Sequence, residues 1–156
     1  VHYDNPKIIV GTIATWEDKY LLCRRAIPPR VGYWTMPAGF LEIGESTREG
    51  AMRETMEEAG ARVEITDLLA QYDIRRIGQV YLLFRATILN PHELVAGEES
   101  QEVRLFDWPE LPWQSLAFPT VQWALEHHHQ TRQQRTLVPF GNPTQGGEDP
   151  PPLKSL

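Results

Sequence analysis

Three glutamates, Glu54, Glu57 and Glu58, stand three and four residues apart in one short stretch. On an α-helix, where successive residues turn by about 100°, that spacing gathers all three within an arc of about 80–100°. Gly50 falls on the same side, while Ala51, Met52, Thr55, Met56 and Ala59 fall opposite, where a core would sit. Like charges so spaced repel by roughly 0.2–0.5 kcal/mol per pair. A hard divalent cation offsets that cost, because Mg²⁺ binds oxygen ligands and commonly a substrate phosphate with them. Taken alone, the trio suits a solvated acidic helix face at least as well. If a substrate phosphate comes with the ion, the chemistry open to the trio is metal-assisted hydrolysis. Cations neutralise the anionic oxygens, align the phosphorus and lower the pKa of a bound water. A further carboxylate must then take the proton.

Something has to hold those side chains in place. Ser46–Gly60 is predicted to be a helix: Ser46-Thr47-Arg48-Glu49 has the form of a capping box, and Gly60 stands where a left-handed closing residue is wanted. Before it, Lys7–Thr15 is β-branched and apolar, and with Lys19–Ala26 it reads as a hairpin across Trp16-Glu17-Asp18. Ile27–Gly32 reads as loop, and Tyr33–Phe40 as a short strand entering a turn. Arg62–Ile74 and Ile77–Leu89 are two further strand regions, joined through Arg75-Arg76. Pro91–Glu99 is an acidic loop, Val103–Trp108 a strand, and Phe118–Arg132 a second helix. Alternating elements of this kind predict an α/β sandwich, a mixed β-sheet covered by helices.

Composition narrows the classes. The 156 residues fit one domain with a real core, at 41% hydrophobic and 23% charged. No apolar run reaches the length that spans a bilayer, so no membrane partner is expected, and there is no signal-peptide pattern. One cysteine, Cys23, leaves no internal disulfide and no cysteine-based zinc site, and its apolar surroundings read as core. A reducing compartment follows, the cytoplasm, or a plastid for a plant protein. The net charge of −6, without a long Lys/Arg run, argues against nucleic acid as a partner. His127-His128-His129 cannot share one metal on a helix and are expected at the surface. Pro139–Pro152 holds five prolines and three glycines in fourteen positions. The chain therefore divides into a domain at 1–135 and a Pro/Gly-rich tail at 136–156.

The glutamate helix belongs to a longer pattern. Gly39, five residues, Glu45, seven residues, Arg53-Glu54, two residues, Glu57-Glu58, one residue and Gly60 follow one another in order. This resembles the Nudix box of the Nudix hydrolases, with every fixed polar or glycine position present over Gly39–Ala61. Thr55 and Ala61 depart from the bulky aliphatic residues the pattern asks for, which bears on packing rather than chemistry. The resemblance implies a loop–helix–loop cradle on an α/β/α sandwich. It implies Glu57 and Glu58 as principal Mg²⁺ ligands (Mn²⁺ a substitute), Glu54 ligating or bridging a second ion, and the main-chain oxygen of Ala38 completing the set. Arg53 would orient a carboxylate, and Glu45 would support the loop or reach a metal through water. For the general base, relatives use a box glutamate or one from a downstream loop; here Glu98, Glu99 and Glu102 are available, with Glu102 preferred and then Glu99.

The substrate is expected to be a small nucleotide. Arg25 occupies a position where relatives often hold a phosphate, and Trp34, Tyr72, Tyr81 and Phe84 could stack an adenine or flavin ring, although strand aromatics are as a rule core. Flanking elements such as His2-Tyr3-Asp4-Asn5-Pro6-Lys7, Leu21-Leu22-Cys23-Arg24-Arg25 and Pro37-Ala38-Gly39-Phe40 resemble a subgroup of bacterial and plant plastid enzymes acting on FAD and ADP-ribose. Members often carry a zinc ribbon before the first of these elements, and the present sequence has no ribbon cysteines. Homodimers are common among such proteins. The reading is Mg²⁺-dependent cleavage of FAD, ADP-ribose or a similar dinucleotide into two monophosphates. The alternatives are a pyrophosphatase of damaged nucleoside triphosphates and a non-catalytic sensor of ADP-ribose-type ligands, and the intact box speaks against the sensor.

Overall fold

The computed structural model describes residues 4–134 and 138–143. Strand β1, Lys7–Trp16, is its organising element: residues 9–14 are buried without interruption. Burial on both faces explains why its sequence is an apolar run rather than an alternation. β1 turns into β2, Lys19–Arg25, through Glu17 and Asp18, both at positive φ (48° and 66°), the backbone that a tight hairpin requires. β3 (Trp34–Thr35) and β4 (Ala38–Phe40) follow, then helix α1 (Thr47–Ala59) and strands β5 (Val63–Ile74), β6 (Gln79–Ile88) and β7 (Ser100–Phe106). Helix α2, Pro119–Gln130, comes last. The sheet runs β3-β2-β1-β6-β5, with β4 added to β1 and β7 added to β2. β1 and β6 are parallel from Lys7↔Gln79 to Thr15↔Thr87, and the other pairings are antiparallel.

Helices cover the two faces. On one, Val121, Ala124 and Leu125 of α2 join Ile9, Ile13, Leu69, Tyr72 and Leu83 in the larger core. On the other, Ala51 of α1 packs with Val10 and Phe84. This is the expected mixed sheet between helices. Single positions differ from expectation. Met52 and Met56 are exposed (38% and 43%), not core-facing; the buried stripe of α1 is Gly50, Ala51, Thr55 and Ala59. Close approach is the reason: a Cβ on Gly50 would stand 2.8 Å from Leu41 Cδ1 and 2.9 Å from Val10 Cγ2. Thr55 at a position expected to be bulky also has a cause. Its hydroxyl donates to the Ala51 carbonyl at 2.7 Å and lies 2.8 Å from the Thr12 hydroxyl, a buried polar join between α1 and β1.

The histidines are not a surface cluster. His128 is buried with its Nδ1 3.1 Å from the Tyr20 hydroxyl, His127 Nδ1 lies 2.6 Å from the Tyr72 hydroxyl, and His129 stacks on Trp108 at 3.7 Å. Adjacent helical residues diverge, so His127 meets Tyr72 while His128 and His129 meet Tyr20, the latter also stacked on Trp108. Of the Pro/Gly-rich tail, residues 138–143 are described. Phe140 runs beside Ala70, exchanging backbone hydrogen bonds with Leu69 and Gln71 at the free edge of β5, and stacks on His127. The remainder of 136–156 lies outside the described residues. No helix among the described residues is long and apolar enough to cross a membrane.

Candidate active site

Helix α1 is fixed at both ends. Ser46 Oγ accepts from the Glu49 N–H at 3.0 Å, the Ser46 N–H donates to the Glu49 carboxylate at 2.7 Å, and Gly60 closes the helix at φ 65°. Thus anchored, it turns Arg53, Glu54, Glu57 and Glu58 towards β4 and the Glu42–Glu45 loop. Arg53 is the hub. It donates to Glu45 (2.7 and 3.0 Å), Glu54 (2.9 Å), Glu57 (3.0 Å) and the Phe40 carbonyl (3.1 Å). Those Arg53 bonds, helped by the Glu42 N–H, hold the Glu45 carboxyl down to about 2. Glu58 goes the other way: burial, then the Glu54 carboxylate beside it, push it up to about 9, against the pull of the Ala38 N–H. Glycine at 39 lets the Glu54 carboxylate lie close against β4: a Cβ there would collide with it, and that side chain would have to move.

These side chains floor a cleft of about 890 Å³. Six glutamates (Glu42, Glu54, Glu57, Glu58, Glu98, Glu99) and two arginines (Arg25, Arg53) line it, a formal charge of −4. Such a cleft repels a diphosphate unless cations enter with it. Its donors are carboxylate and main-chain oxygens, the set that suits a hard divalent ion rather than a soft one. Arg53 bridges Glu54 and Glu57, and no group of three His, Cys, Asp or Glu side chains among the described residues converges on a single metal position. The ligand candidates Glu54, Glu57, Glu58 and Ala38 do all line the one cleft.

Other candidates separate sharply. Arg25 is at the cleft, its Nε donating to the Pro29 carbonyl at 2.7 Å and its guanidinium 5.2 Å from the Phe118 ring centre. Of the four aromatic candidates, Tyr81 alone lines the cleft. Tyr72 is fully buried and spends its hydroxyl on His127; Trp34 packs edge-on against Phe106 at 5.1 Å; Phe84 is buried under α1, with Arg48 over its ring. All three are core residues, as alternation along a sheet with two covered faces dictates. Glu102 also falls outside the cleft, 3.7 Å from Arg24 and 3.8 Å from Arg104 on the outer strands, whereas Glu98 and Glu99 line it. Phe40, Ile77, Gln79 and Phe118 line it too, unforeseen from sequence. The sequence cue for Phe118 is its place before Pro119 at the start of α2, and for Phe40 its place beside Gly39.

A helix bearing clustered carboxylates, a glycine-tight loop before it and a sandwich around a mixed sheet define a phosphoanhydride hydrolase of the Nudix class. The family model for the NUDIX domain matches residues 6–126, and the chain belongs to that family. It is 34% identical over 119 residues to an ADP-ribose pyrophosphatase of Methanocaldococcus jannaschii, covering 74% of this chain and 69% of that protein. It is 32% identical over 112 residues to the nucleoside triphosphatase NudI of an Enterobacter species, covering 62% and 79%. Of some other curated relatives it spans less than half the length. Among solved structures, a NUDIX hydrolase from Nitrosomonas europaea superposes with a TM-score of 0.83 at 48% identity, over 90% of this chain and 80% of that one. Members of the family generally work with divalent metal ions on small nucleotide substrates.

Proposed function

We propose that the chain is a Mg²⁺-dependent hydrolase that splits the diphosphate link of a nucleoside diphosphate derivative (FAD, ADP-ribose or a similar dinucleotide) into two monophosphates. The observation that carries the reading is a carboxylate-lined cleft that also draws on two further groups of side chains, from separate parts of the sheet, able to serve as walls. Arg25, Ile27, Pro28 and Phe118 come from the β2 side, and Phe40, Ile77, Gln79 and Tyr81 from the β4–β6 side. A diphosphate over the floor would reach both walls with the groups it joins, whereas a nucleoside triphosphate would offer a base to one wall only. The similarity to an ADP-ribose pyrophosphatase points the same way.

Glu54, Glu57 and Glu58, with the Ala38 carbonyl, would hold the Mg²⁺. The ion supplies charge neutralisation on the phosphate oxygens and an acidified water. Arg53 keeps Glu54 and Glu57 oriented, and Glu45 keeps Arg53 in place through its bidentate bond. Glu99, or Glu98 next to it, accepts the proton of the attacking water. Arg25 can offer one remaining donor nitrogen to a phosphate while its plane rests on Phe118. The test is turnover of ADP-ribose, FAD, NADH and a nucleoside triphosphate in Mg²⁺, with products resolved by chromatography. AMP from the dinucleotides is the expected result; pyrophosphate from the triphosphate as the dominant product would favour the NudI-like alternative.

A further inference from the structure

We propose that Gly97 is a positioning residue of this reaction: by lacking a side chain it lets the acidic loop seat directly on the last turn of α1 and so hold Glu98 and Glu99 over the Glu54/Glu58 carboxylates. The inference rests on the hydrolase reading above and goes beyond the metal ligands.

An α-helix ends with carbonyls that have no partner within the helix. In α1, Gly60 N–H takes the Met56 carbonyl, and the loop takes the next ones: Val95 N–H donates to Ala59 at 2.9 Å and Gly97 N–H to Glu58 at 3.2 Å. The loop backbone therefore lies flat against the helix end that bears Glu57 and Glu58. A Cβ at Gly97 would fall on the Glu57 carbonyl oxygen itself, and one at Gly60 would stand 2.6 Å from Val95 Cγ1. The φ of Gly97 lies outside the left-handed region, so space and not backbone conformation demands glycine there. Beyond Gly97 the loop has a second anchor, the Ala26 N–H donating to the Glu99 carbonyl at 2.9 Å. Glu98 and Glu99 thus stand between two fixed points, one on the helix that carries the metal-binding carboxylates and one at the end of β2, beside Arg25. Glu99 is near enough to Glu58 to push its carboxyl upward. Any residue larger than glycine at 97 must lift the loop off the helix, and both carboxylates with it.

The experiment uses the full chain, Mg²⁺ and ADP-ribose, with Gly97→Ala, the pair Glu98→Gln/Glu99→Gln, and the three changes combined. Displacing a reacting group by about 1 Å costs on the order of 100-fold in rate. Gly97→Ala is therefore expected to lower kcat by about that factor, with KM and the Mg²⁺ half-saturation within about threefold of wild type. In the combined variant Gly97→Ala should add nothing to the loss caused by the two glutamine changes, because its effect passes through those carboxylates. A merely structural lesion would multiply with them. Wild-type kcat in Gly97→Ala, a multiplying loss, or a shifted Mg²⁺ requirement would overturn the proposal. If Gly97→Ala does not fold by circular dichroism, Ala26→Pro removes the second anchor instead. The same kcat loss, absent in the glutamine background, is then expected, and an unchanged kcat overturns it. A wild type inactive on every diphosphate offered would instead strike the hydrolase reading, a distinct outcome that takes this inference with it.

Discussion

Exchange Glu58 for glutamine and, without metal, the protein should become more stable while losing its activity. In the fold the Glu58 carboxyl is pushed to about 9 from an ordinary 4.5, first by burial and then by Glu54. A carboxyl raised in this way is cheap to bury at pH below its unfolded value, and stability is lost progressively as pH climbs from there to the folded value. At pH 7 the difference is worth on the order of 3 kcal/mol. Gln escapes it: its amide N–H₂ can donate to Glu54 while its oxygen accepts from the Ala38 N–H, as a protonated Glu58 would. For a domain of this size the gain corresponds to a rise in Tm of about 5–10 °C. The assay is thermal unfolding in EDTA, wild type against Glu58→Gln, at pH 7 and pH 5. At pH 5 the gap should shrink below about 1 kcal/mol. Adding Mg²⁺ should raise the wild-type Tm by ligand linkage and leave the variant nearly where it was. A variant less stable than wild type in EDTA at pH 7, or a gap indifferent to pH, would refute the reasoning.

Other perturbations test other joints. Thr55→Val leaves the buried Thr12 hydroxyl without its 2.8 Å partner and should cost about 1–3 kcal/mol in urea unfolding, with kcat little changed. His128, held down to about 4 mainly by burial, should withdraw stability as pH falls from about 6.5 towards 4. His128→Gln should flatten that acid limb in a pH series of unfolding midpoints. Tyr72→Phe removes a hydroxyl that serves His127 rather than substrate, so KM should hold while stability falls by about 1 kcal/mol. By contrast Phe118→Leu, which removes a ring from the cleft wall beside Arg25, should raise KM several-fold with the Mg²⁺ requirement unaltered.

What sequence made visible, and what it hid, follows a physical line. The capping box, the closing Gly60 and the spacing of Glu54, Glu57 and Glu58 are local signals, set by residues within a turn or two of one another, and the helix stands where they place it. Which hydrophobic residues that helix buries is not local. Met52 and Met56 fit the inward arc on a helical wheel, yet the approach of β1 to Gly50 admits only small side chains and turns both methionines out. Among the aromatic candidates, Trp34, Tyr72 and Phe84 took the commoner role of strand aromatics and lie in the core, while Tyr81 lines the cleft; alternation alone could not tell which would do which. Glu102 belongs to β7, which begins three residues earlier than its apolar part, and strand pairing carries its carboxylate to Arg24 and Arg104. Phe118 and Gly97 reach the site only through folding, one at the start of α2 and the other by lying on the end of α1.

The proposed hydrolysis requires a divalent cation among the α1 carboxylates. Titrating Mn²⁺ into the full chain and counting free ion by its electron paramagnetic resonance signal tests that directly. Saturable uptake by the wild type, competed by Mg²⁺ and reduced at least about tenfold in affinity by Glu57→Gln or Glu58→Gln, is what the geometry predicts. Uptake equal in wild type and both variants would place the ion elsewhere and contradict it.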